Sequence, residues 1–108
     1  MKRGDLVTIA VSGDYGKPRP ALVVQANAFD TLASVTVLRL TSELHDWPTF
    51  RVTIAPTPEN KLRVASQVMI DKASTISRVK ARETFGRLDM EIMLQIERLL
   101  ALFVGIVK

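Results

Sequence analysis

Gly16-Lys17-Pro18-Arg19-Pro20-Ala21-Leu22-Val23-Val24 is the stretch that decides how this chain folds. Each proline fixes its own φ and pushes the residue before it toward extended backbone, so an arginine between two prolines cannot sit in a helix. Arg19 therefore enters the apolar run Ala21 to Gln25 on a stiff, extended lead-in. A short, continuous apolar run bounded by breakers reads as a strand buried on both faces. A second run of this kind, Val35-Thr36-Val37-Leu38-Arg39-Leu40, closes on Thr41-Ser42. If the two strands pair, a cation and two hydroxyls meet at one sheet end.

Outward from there the pattern stays β. Leu6 to Val11 is rich in β-branched residues and reads as a first strand. Ser12 to Pro18 is a loop on composition, and Asn27 to Ser34 is a polar connection. Glu43 to Pro48 is a second loop that carries His45, Asp46 and Trp47. Phe50, Val52 and Ile54 alternate with Arg51, Thr53 and Ala55, the period of a strand with one wet face. Val64 to Ile70 is a further strand with Gln67 as its large polar residue. Ala73 to Ile76 extends or follows it, and Phe85 to Leu88 closes the sheet.

The ending differs in kind. Asp89 is a good N-cap, and neither glycine nor proline recurs until Gly105. Ile92, Ile96, Leu99 and Phe103, with Met93 and Leu100 beside them, recur at helical spacing, while Glu91, Gln95 and Arg98 hold the other face. This predicts an amphipathic helix of about four turns packed on the sheet, with Met90 and Met93 in the core. Many short strands followed by one helix indicate a small barrel or strongly bent sheet of the α+β, mostly β class.

The 108 residues fit one domain, 1–108, and 47% hydrophobic content supplies a core. With no cysteine there is neither a disulfide nor a thiolate metal site, which suits the cytoplasm. One histidine rules out a multi-histidine metal centre. The first apolar stretch is too short for a signal peptide and the last, Leu99 to Val107, is too short for a membrane helix. A cytoplasmic protein with no membrane partner is expected. The net charge of +4 favours anionic partners mildly, well short of the clustering of a dedicated DNA binder.

Several chemistries drop out. There is no thiol nucleophile, no Gly-rich Lys-Ser/Thr phosphate loop and no paired-glycine dinucleotide fingerprint. A Ser-His-Asp set built on His45 and Asp46 fails because neighbours on an extended chain point apart. What remains is Arg19 with Thr41, Ser42 and Gln67. RNA brings its own nucleophile, the 2′-hydroxyl, so an enzyme need position it, stabilise the charged transition state and protonate the leaving 5′-oxygen. An arginine fork binds two phosphate oxygens and a threonine hydroxyl donates a third hydrogen bond. Arg19 and Thr41 are read as catalytic, and Lys17, Ser42, Gln67 and His45 as substrate contacts. Plainer roles compete: a strand-entry arginine is often an ion-pair partner, Thr-Ser at a strand end is often turn chemistry, and a loop histidine is often solvated. Trp47 serves either as a rim plug or as a stacking surface. Lys61-Leu62-Arg63 and the basic cluster from Arg78 to Arg82 are either solvated faces or phosphate contacts.

Lys2 to Val7, Gly16 to Gln25, Leu40-Thr41-Ser42, Ser66 to Lys72 and Phe85 to Asp89, in that order, resemble the MazF/PemK toxins of bacterial toxin–antitoxin pairs. The resemblance implies a homodimer of SH3-like barrels, each with a terminal helix. It implies cofactor-free and metal-independent cleavage of single-stranded mRNA to 2′,3′-cyclic phosphate and 5′-hydroxyl ends. It places the catalytic roles on Arg19 and Thr41, a gating loop on Ser12 to Pro18, and an acidic antitoxin tail along the dimer groove. Val104-Gly105-Ile106 also resembles the ending of the CcdB gyrase-inhibiting toxins, which share the fold. Gyrase inhibition, and passive nucleic-acid binding by a barrel, therefore stand as the alternatives.

Overall fold

Residue parity on three central strands sorts the core onto two sheet faces. In the computed structural model, which describes residues 1–10 and 17–108, these strands are β1 (Asp5–Ala10), β2 (Pro18–Val23) and β3 (Ser34–Thr41). Antiparallel register puts Leu6 opposite Leu22 and Leu22 opposite Leu38. These leucines join one core with Val52, Ile54, Val68 and Ile70. The alternate residues Val7, Ile9, Ala21, Val23, Val35 and Val37 form a second buried cluster. Ala21 to Val24 is therefore buried on both faces, as its unbroken apolar run requires.

Three more strands complete the sheet: β4 (Arg51–Ile54), β5 (Ser66–Ser77) and β6 (Ala81–Arg87), in the order β4-β5-β3-β2-β1-β6. β5 is one strand of 12 residues, joining two segments that composition left separable. It bends: Leu38 pairs with Ala73 but Leu40 with Val68, so the ladder is irregular around Arg39. The first strand's expected end at Val11 and most of the Ser12–Pro18 loop lie outside the described residues.

The sheet's outer edges, β4 and β6, are bridged by the β4–β5 loop. Arg87 N–H on β6 donates to Glu59 O at 3.0 Å. A Cβ on Gly86 would stand 2.2 Å from Asn60 O, so only a glycine admits this approach. Asn60, 2% exposed, ties the loop to itself. Its Oδ1 accepts from Thr57 N–H and Leu62 N–H at 3.0 and 2.9 Å, and its Nδ2 donates to Ala55 O at 2.9 Å.

The helix α1 spans Met90–Phe103, and Asp89 caps it by accepting from Ile92 N–H at 2.9 Å. Met93 and Ile96 reach the first core. Arg3 fixes the helix to the chain start through Glu97 at 2.6 Å. Two expected core residues are not in it: Met90 is 78% exposed and Phe103 54%. They stand at the first and last positions of the helix, on either side of its buried residues Met93 and Ile96. Gly105, at φ +79°, ends the helix. Ile106 N–H reaches Ala101 O and Gly105 N–H reaches Leu102 O, the paired bonds of a Schellman stop. The glycine of Val104-Gly105-Ile106 thus has a structural reason to be there. No helix among the described residues is long and apolar enough to cross a membrane.

Gly86→Ala is expected to destabilise the fold by about 1–3 kcal/mol, since the new methyl meets backbone that cannot step aside cheaply. Urea unfolding measures this; an unchanged midpoint means that the loop is not seated on β6.

Candidate active site

Two missing amides open the sheet at one end. Val24 N–H donates to Thr36 O at 3.2 Å, so even-numbered residues of β2 aim their amides at β3. The next such positions down the strand are Leu22, Pro20 and Pro18, and the prolines have no N–H to give. The β2–β3 pairing accordingly runs from Val23↔Val37 to Ala21↔Arg39. On its other side β2 stays paired with β1 as far as Ala10↔Pro18. One side is held and the other released.

The released end is a groove of about 960 Å³. Arg19 lies two residues beyond Ala21 and Thr41 two residues beyond Arg39, so continuing the register sets them opposite each other. Both line the groove, with Ser42. Thr41 is anchored in β3 opposite Gln67 of β5. Its Oγ1 accepts from Glu43 N–H at 3.1 Å, which leaves the hydroxyl's own proton to donate to a ligand.

Arg39, Lys61 and Arg63 line the same groove, against the carboxylate of Glu43. Lys61 adopts a left-handed φ of 54°, and its N–H donates to Thr57 O at 3.0 Å, within the loop that Asn60 organises. Among the described residues, four cations facing one acid make the groove a field for an anion.

The other candidates fall elsewhere. Gln67 is 3% exposed and outside the groove lining. Its Oε1 accepts from His45 N–H at 3.1 Å, and its Nε2 donates to His45 O at 2.8 Å and Thr53 Oγ1 at 3.0 Å. It holds the loop after Thr41. His45 stacks on Trp47 with centroids 4.0 Å apart and planes within 4°, and its Nε2 is 3.5 Å from Glu43 Oε1. Trp47 stacks on Phe50 in turn, and Arg51, paired with Asp71, lies over both rings. This ladder adjoins the groove through Glu43. Lys17 is exposed and outside the lining. Sequence reasoning singled out neither Arg39 nor Glu43. The signal for Arg39 was there: a charge inside an apolar strand, at the parity of Thr41.

Comparison with known proteins identifies the fold and its family. Residues 2–104 match the family model described as PemK-like, MazF-like toxin of type II toxin–antitoxin system. The chain belongs to this family. The toxin is 44% identical over 107 residues to a probable endoribonuclease MazF of Mycolicibacterium smegmatis, covering 98% of each chain. Its fold superposes with a TM-score of 0.84 on a mycobacterial endoribonuclease solved with its cognate antitoxin, at 23% identity over 100% of this chain and 98% of that one. A MazE–MazF structure from Deinococcus radiodurans gives 0.76, at 23% identity over 97% and 96%. The bent sheet with one terminal helix is the fold of these toxins.

Gln67→Leu in the toxin leaves the His45 amide, the His45 carbonyl and Thr53 Oγ1 without their side-chain partner. A stability loss of about 1–3 kcal/mol is expected, with faster amide exchange at His45. Wild-type protection at that amide would show that the loop holds without Gln67.

Proposed function

We propose that this endoribonuclease toxin cuts single-stranded mRNA without a metal or cofactor, at the groove where Arg19 and Thr41 converge. That convergence, enforced by the interrupted β2–β3 ladder, is the observation that carries the reading. The substrate's 2′-hydroxyl gives its proton to solvent as its oxygen attacks the neighbouring phosphorus, the bond from phosphorus to the 5′-oxygen breaks, and that oxygen takes a proton from water, so the products are a 2′,3′-cyclic phosphate and a 5′-hydroxyl. The protein's task is to align the attack and to stabilise the charge on the phosphoryl oxygens. The Arg19 fork and the Thr41 hydroxyl together donate to the two non-bridging oxygens. Arg19 acts by charge, since a guanidinium gives up its proton reluctantly. Ser42 extends the hydroxyl edge of the site. Lys17 and His45 lie outside the groove lining, where they would meet nucleotides on either side of the cut.

Relatives solved with antitoxins support a partner of that kind here. An acidic antitoxin segment complements the four groove cations and would cover Arg19 and Thr41. We also assign the toxin a homodimeric, cytoplasmic state, in keeping with the apolar surface that a small barrel with one covering helix leaves.

Digestion of a long single-stranded RNA in EDTA, with mapping of 5′-hydroxyl ends, tests the reading. Discrete ends at one short motif are expected. Arg19→Ala and Thr41→Val should each lower the rate by about 10²–10³, the cost of one preorganised donor, with the fold intact by circular dichroism. Full cleavage by either folded variant removes that residue from the mechanism. No cleavage by wild type, free of antitoxin, overturns the reading.

A further inference from the structure

Arg39 is a cation with a buried donor that no described residue takes. Its Nε is buried and has no hydrogen-bond partner among the described residues. Across the β2 ladder it faces Ala21, which offers a methyl group, and on the β5 side it sits in the irregularity between Leu38 and Leu40. Glu43, the carboxylate of the groove lining, is turned toward His45, its Oε1 3.5 Å from Nε2. A buried donor left unmade costs stability. An arginine kept for the fold's sake would have been given a carboxylate, as Arg51 is given Asp71 at 3.1 Å.

Its place says what would satisfy it. Arg39 lines the same groove as Arg19 and Thr41. It shares strand parity with Thr41 and stands two residues, about 7 Å, along β3 from it. Consecutive phosphates of a single strand are spaced about that far apart. A phosphodiester's two outer oxygens match the arginine fork. On the reading that Arg19 and Thr41 hold the scissile phosphate, we propose that Arg39 binds the phosphate next to it and sets the strand's register in the groove.

The test couples a protein change to a substrate change. The probe is a short RNA containing the mapped cut motif, made unmodified and with a neutral methylphosphonate at the phosphate on either side of the scissile one. With wild type, one of the two modified RNAs should show KM raised about ten- to hundredfold, the worth of a hydrogen bond to a charged group. Arg39→Gln should raise KM for unmodified RNA by a similar factor, and that methylphosphonate should then cost nothing more. Arg39→Met should behave like Arg39→Gln, and both should unfold at or above the wild-type urea midpoint, because the unmet donor is gone. Three results overturn the inference: an unchanged KM in Arg39→Gln, a full methylphosphonate penalty that persists in it, or weakened antitoxin binding with RNA binding intact. If wild type cuts RNA and Arg39 proves indifferent, this inference falls alone. If wild type cuts no RNA, the reading beneath it falls too.

Discussion

The absence of two backbone amides, at Pro18 and Pro20, is the constraint on which the groove depends. A sheet normally extends its ladder as far as both strands allow, since each added pair satisfies groups that would otherwise cost free energy. Here β1 holds β2 to its first residue, while toward β3 the strand has no amide to donate below Leu22. The groove arises by subtraction, with no insertion needed. Its register is inherited from the core: slipping β2 by one residue would exchange Leu22 with Ala21 or Val23 between two differently packed faces. The positions of Arg19 and Thr41 are thus pinned by residues that never meet a ligand.

The opposite wall depends on a different device. The loop after β4 could have hung in solvent; instead Asn60 binds it to itself and Gly86 lets its backbone rest on β6. This contact bridges the sheet's two outer edges, and it also presents Lys61 and Arg63 to the groove. Fold closure and cation placement come from one loop, so a change at Gly86, which carries no functional group, acts on both.

Much of this was legible in the chain. Period-two alternation and β-branched runs located the strands, and Asp89 marked the helix start because a cap is a local interaction. Arg19 and Thr41 were legible because prolines and a strand end are local signals, and strand pairing then did the rest. What stayed hidden needed long-range contacts. Strand β5 pairs with β4 and β3 at its start and with β3 again from Ala73, partners far away in sequence that composition does not show. Gln67 looked like a polar residue aimed at a substrate, yet its side chain serves the backbone of His45, 22 residues away. Arg39 was not singled out, and the groove lining shows it beside Thr41. Met90 and Phe103 were expected in the core, yet both are exposed at the two ends of the helix.

The concentration of positive charge has a cost that the core can bear. Two like charges about 7 Å apart repel by about 0.6 kcal/mol in water and about 2 kcal/mol at an effective dielectric constant of 20. Each fully buried Leu, Val or Ile offsets about 1.5–3 kcal/mol, and the two clusters hold many of them. The repulsion is relieved when an anion enters, so what the free fold loses to crowding its cations returns as affinity for phosphate. That gain is largest where solvent is already excluded, as at the buried Nε of Arg39.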